Sequence, residues 1–205
     1  MKKLITLLIM TVLILVYFIG YTEQGGLGLQ NDGRVVTETS EGWTPETLHN
    51  NLCSWAMTAV GGGTLEFAKR MYYKQCNDPK FEYAGQSLLT YAVLSHKPEM
   101  VEWLVSIPGM NVNHKFSGQT VLYSAIVFAH RNHVGQGGKE TEETDIQIVK
   151  LLLEHGADTM LPNDTEGHGN FSNGSSAYDF VKNPMYNFED SEVGRLVIKY
   201  TKGKQ

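Results

Sequence analysis

The feature that most constrains this chain is an internal repeat between residues 85 and 160. The first copy reads GQSLLTYAV, then EMVEWLV, then PGMNVN; the second reads GQTVLYSAI, then QIVKLLL, then HGADTM. Gly85 and Gly118 stand 33 residues apart, and Ala92 and Ala125 keep that spacing. A fixed period of this length marks a repeat architecture, whose units stack because a single helix pair cannot cover its own apolar stripe. Within each copy the leading Gly permits a turn with positive φ, and Ser87 or Thr120 behind it can cap a first helix through its hydroxyl. Ala92 and Ala125 are small enough for two helices to approach closely. In the second helix Val101, Leu104 and Val105, like Val149, Leu152 and Leu153, recur at three and four residue spacing and form an apolar stripe.

The two in-phase copies, and above all the run LLLEHGAD at 151–158, resemble the ankyrin repeat. The resemblance implies an all-α solenoid of about four helix pairs with hairpin-like turns, whose turn tips and first helices make a concave protein-binding face. Carried over position by position, it places Tyr83, Ala84 and Gln86 on one tip and Phe116, Ser117 and Gln119 on the next. On the adjoining first helices it points to Leu94, Ser95, Val127 and Phe128. The expected partner contacts are therefore Tyr83, Gln86, Leu94, Phe116, Gln119 and Phe128, with the two tip aromatics as anchors. One departure stands out: the family's T-P-L-H is here Ser87-Leu88-Leu89-Thr90 and Thr120-Val121-Leu122-Tyr123, so the turn must find its hydrogen bonds elsewhere.

Outside the two copies the chain divides readily. Lys2 and Lys3 precede an apolar run at 4–21, opening at Leu4 and closing at Tyr21, which is an export signal of bacterial type. It is either cleaved or retained as an inner-membrane anchor, since Gly20-Tyr21-Thr22 is a poor cleavage site and the run is at the short limit for a span. Residues 22–43, with five glycines and little apolar periodicity, read as a flexible linker. The folded part, 44–202, is expected to begin with a helix at Thr44-Pro45 that runs to Gly61-Gly62-Gly63, with Leu48, Leu52, Trp55, Ala56 and Ala59 on its buried face. A second helix at 64–75 completes a degenerate first repeat. Residues 130–144, polar and Gly-containing, read as a loop inserted between the helices of the second copy, and 161–174 as another loop. Gly174-Ser175-Ser176-Ala177 opens a last repeat, closed by a helix at 191–202. In the helix pair that the resemblance implies, Cys53 near the start of the first helix lies beside Cys76 at the end of the second, and an oxidising periplasm would keep them bridged.

The chain carries little that points to catalytic or metal chemistry. There is no G-x-S-x-G elbow, no Gly-rich phosphate loop with Lys and no H-E-x-x-H, so no catalytic residues are assigned and no enzyme activity or cofactor is expected. His130 and His133 with Glu140 or Glu142 make a weak metal pattern that solvated loop histidines explain better. Asn163, Asn170 and Asn173 begin N-x-S/T triplets, read as turn residues. A net charge of -5, or -7 without Lys2 and Lys3, disfavours nucleic acid and anionic lipid and suits a basic protein partner. A leader joined to a small ankyrin stack resembles the periplasmic immunity proteins encoded beside type VI secretion lipase effectors; a stabiliser or assembly partner of a periplasmic enzyme is the other expectation.

Overall fold

A computed structural model describes residues 44–136, 139–164 and 174–203. The expected leader and linker lie outside the described residues. Elements follow one another as α1 (Pro45–Gly62), α2 (Leu65–Met71), a π turn (Tyr72–Cys76), a hairpin of β1 (Glu82–Tyr83) and β2 (Gln86–Ser87), then α3 (Leu88–Leu94) and α4 (Pro98–Val105). A second hairpin, β3 (Lys115–Phe116) and β4 (Gln119–Thr120), leads into α5 (Val121–Arg131), a second π turn (Asn132–Gln136), α6 (Lys139–Glu154), α7 (Ala177–Lys182) and α8 (Glu192–Lys202). The helices therefore come as four consecutive pairs, and the only ladders among the described residues are the two hairpins. First helices pack on first helices, α3 on α5 and α5 on α7, and second helices on second helices, α4 on α6 and α6 on α8.

Hydroxyl caps start most of these helices, because the first backbone N–H groups of a helix have no partner within it. Thr64, Ser87, Thr120 and Ser191 each accept from the backbone N–H three residues on, and Ser176 forms a reciprocal capping box with Asp179. Pro98 occupies the first turn of α4, where its missing N–H is not needed. Val101, Leu104 and Val105, and in α6 Val149, Leu152 and Leu153, are all buried, as the periodicity predicts.

Three expectations need correction. In α1 Ala56 and Ala59 are buried as expected, but the rest of the stripe is Cys53, Met57 and Val60, while Trp55 is 40% exposed and Leu48 and Leu52 are half-buried. The helix is rotated from the predicted face because its small residues and its cysteine are turned inwards. Cys53 and Cys76 are bonded, with Cα atoms 4.5 Å apart, but Cys53 is the ninth of the 18 residues of α1, not near its start. The second helix is short, so the end of its π turn reaches back only to the middle of α1. The supposed loop at 130–144 is mostly helical: 130 and 131 finish α5, 132–136 form the π turn, and α6 has begun by Lys139. Asn132, His133 and Glu142 within it are tied down. Asp145, 2% exposed, accepts hydrogen bonds from His96 Nδ1 at 2.6 Å and Asn132 Nδ2 at 2.5 Å, and Glu142 Oε1 accepts from His133 Nδ1 at 2.9 Å.

Glycines matter at two packing sites. A Cβ on Gly61 would overlap the ring of Tyr91, which lies across α1. A Cβ on Gly194 would overlap the carbonyl oxygen of Phe188 and stand 2.5 Å from that of Glu189, so the segment before α8 crosses the helix at a point only Gly allows.

Candidate partner-binding face

Each hairpin tip is a two-residue connection with both residues left-handed. Tyr83 pairs with Gln86 across Ala84 (φ 51°) and Gly85 (φ 75°); Phe116 pairs with Gln119 across Ser117 (φ 49°) and Gly118 (φ 77°). That is the type I′ geometry, whose twist matches the strands it joins and which requires positive φ at both central positions. The sequence signals only the glycine. Ala84 and Ser117 adopt a conformation that costs a residue with a Cβ something like 1 kcal/mol, and the surrounding turn enforces it.

What holds the tips is a set of polar ties that replace the missing turn histidine. Thr90 stands where the ankyrin pattern has that histidine, and its Oγ1 lies 2.9 Å from Ser87 Oγ and 3.0 Å from Nδ1 of His114. Nε2 of His114 donates to Glu82 Oε1 at 3.0 Å, so a buried histidine at the end of one repeat binds both strands' neighbourhood in the hairpin before it. In the second copy the backbone N–H of Thr120 donates to Asn163 Oδ1 at 2.9 Å, and that of Asp164 donates to the carbonyl of Gly118 at 2.8 Å. Asn163 is buried, so this turn residue serves as a structural tie. Lys115 Nζ reaches Asp164 Oδ1 at 2.6 Å beside the same tip.

The first hairpin lies next to the second in space, with β2 beside β3. Tyr83 is 59% exposed. Phe116 is half-buried, and its ring lies 3.9 Å from where a Cβ on Gly85 would be, so it leans on the preceding tip and supports it. Gln86 and Gln119 are half-buried opposite the two aromatics. Leu94 and Phe128 lie seven or more residues further along α3 and α5, about 10 Å or more from the tips at 1.5 Å per residue. Both are half-buried, and the Phe128 ring meets His96 edge-on at 5.0 Å. Tyr83, Gln86, Phe116 and Gln119 thus form one cluster; Leu94 and Phe128 belong to the other end of the first helices.

Matches to ankyrin repeat family models cover residues 84–114 and 117–164. The chain carries ankyrin repeats. The two matched spans contain the second strand of each hairpin, β2 and β4, and the helix pairs α3/α4 and α5/α6. Ankyrin repeats are a protein–protein interaction module, which makes a protein the expected class of partner.

The two histidines of the weak metal pattern are engaged separately. His130 sits among Phe180, Tyr186 and Phe188 at ring distances of 5.0–5.5 Å, with Nε2 3.2 Å from the Tyr186 carbonyl oxygen, while His133 is engaged with Glu142. No three His, Cys, Asp or Glu side chains among the described residues are placed to hold a metal ion. Sequence reading missed His114, Thr90, Asp145 and Asn163 as organising residues; the one available signal was the absence of the family's turn histidine.

Proposed function

We propose that this ankyrin module is an immunity protein of the bacterial periplasm that binds and occludes a type VI secretion antibacterial effector, a phospholipase being the effector class expected. The observation that carries the binding face is Tyr83: a large aromatic side chain held in solvent on a rigid two-residue tip, next to a second tip with Phe116. Exposed aromatics on a preorganised turn lose little freedom on binding and are the residue type that anchors interfaces. Gln86 and Gln119 beside them offer amide donors and acceptors for a partner backbone. The apolar leader at 4–21 and the acidic balance of the chain support an exported protein meeting a basic partner.

The test uses the full-length chain and the effector encoded beside its gene. Saturating chain should abolish the effector's lipase activity, and Tyr83→Ala with Phe116→Ala should weaken binding by about 30-fold, equivalent to about 2 kcal/mol. Unchanged affinity in the double variant would show the face to be wrongly assigned, and undiminished lipase activity at saturation would end the immunity reading. A reporter active only in the periplasm, fused after Gly42, tests location separately.

A further inference from the structure

We propose that a second copy of this chain covers the uncovered apolar row of α1, the two α1 helices packing antiparallel about a two-fold axis at Leu52. Leu48, Leu52 and Trp55 follow one another at four and three residue spacing and form one row. At 3.6 residues per turn that row is turned about 120° from the residues Cys53, Ala56, Met57 and Val60 that α1 buries. Trp55 is 40% exposed, and Leu48 and Leu52 are half-buried. The first helix of a stack ordinarily keeps its uncovered surface polar. This one carries two leucines and a tryptophan there, and tryptophan is a residue type that interfaces favour.

The polar row beside it is already prepared for burial. Asn51 Nδ2 donates to the Thr47 carbonyl at 2.9 Å, Ser54 Oγ to the Asn51 carbonyl at 2.7 Å and Thr58 Oγ1 to the Ser54 carbonyl at 3.0 Å. A hydroxyl satisfied within its own helix can leave water without leaving its hydrogen bond unmade, so covering this row costs less than covering free polar groups.

Charge selects the occupant. In α1 Glu46, in the first turn, is the only residue among Asp, Glu, Lys and Arg. A lipid surface would ask for Lys or Arg beside the apolar row, and a basic protein for a set of carboxylates; α1 offers neither. Two copies of a chain with net charge -5 repel, and a neutral patch is where that repulsion is least. The row also fits itself. Leu48 stands four residues before Leu52 and Trp55 three after it, so an antiparallel pair centred on Leu52 sets each Trp55 against the partner's Leu48. That is the self-complementary match a two-fold contact requires.

Sedimentation equilibrium of the full-length chain in a density-matched detergent should give twice the mass of one chain. Leu52→Lys and Leu52→Asp each bring like charges together on the axis, so each should sediment as a single chain at concentrations where the unchanged protein is paired. An equimolar mixture of the two should recover the doubled mass, because opposite charges then meet. Circular dichroism and the thermal transition check that each variant folds; where one does not, Trp55→Lys, at a part-exposed position, replaces it and should likewise abolish pairing. A single-chain mass for the unchanged protein, meaning that a second copy does not cover the row, would overturn the proposal. So would a doubled mass in any of these variants alone, or a mixture of folded Leu52→Lys and Leu52→Asp that stays monomeric.

Discussion

Gly194→Ala is a substitution for which local and tertiary effects have opposite signs. On helix propensity alone, replacing a helical Gly by Ala stabilises by about 1 kcal/mol. In this fold the new methyl would overlap the Phe188 carbonyl oxygen and lie 2.5 Å and 2.8 Å from the carbonyl oxygen and carbon of Glu189. These are backbone atoms, and they are anchored: the Phe188 ring is buried and lies 5.0 Å from the His130 ring, and the Phe188 carbonyl accepts from Ser191 Oγ at 2.7 Å. Overpacking a fixed site costs about 1–3 kcal/mol, and two displaced carbonyls put this one at the upper end, so the net loss is about 2 kcal/mol. With a urea m-value of about 2 kcal/mol/M the midpoint should fall by about 1 M. Gly62→Ala is the control, because nothing lies within 4 Å of its Cβ position, and it should be neutral or stabilising by up to about 1 kcal/mol. If both variants move the urea midpoint upward, the crossing at Gly194 does not constrain the fold and the reasoning fails.

Breaking the Cys53–Cys76 bond, which spans 23 residues, should cost about 3 kcal/mol in the chain-entropy model, read as the difference in urea midpoint with and without reductant in metal-free buffer; two alkylatable thiols in the unreduced protein would refute the bridge itself. Thr90→Val deprives buried His114 Nδ1 of its partner and should lower Tm by roughly 4–8 °C, corresponding to about 2 kcal/mol; an unchanged Tm would mean that the hairpin does not depend on this tie. Burial, with Tyr73 and Asp78 nearby, pushes the Tyr72 hydroxyl up to about 12, and burial, with Tyr186 nearby, does the same for Tyr123. A folded pKa above the unfolded value of about 10 adds stability that is intact below pH 10 and is lost as pH rises from about 10 to 12, so the urea midpoint should decline across that window and Tyr72→Phe should flatten the decline. A midpoint independent of pH up to 12 would show these phenols to be freely hydrated.

The sequence by itself determined the repeat unit, because each of its signals is local. A 33-residue period, hydroxyl caps at Ser87 and Thr120, and the stripes of α4 and α6 depend on neighbours three and four residues away, and these the structure reproduces. The resemblance to the ankyrin repeat placed Tyr83, Gln86, Phe116 and Gln119 at the tips, and the two hairpins pair them there. What tertiary structure decided were the matters set by residues far apart in the chain. Which face of α1 is inward depends on its disulfide to Cys76 and on the Tyr91 ring across Gly61. The helical turns at 130–136 and 139–144 are tied to the stack by Asp145, which receives His96 from 49 residues earlier, and a Gly-containing, charge-rich stretch has no local signal for such burial. Thr90 can take the place of the family's turn histidine only because His114 approaches it from 24 residues away. Helix propensity and apolar period are summed over one or two turns, whereas a buried polar tie has to be satisfied by whichever group the stack brings within 3 Å, and that choice is made only when the repeats pack.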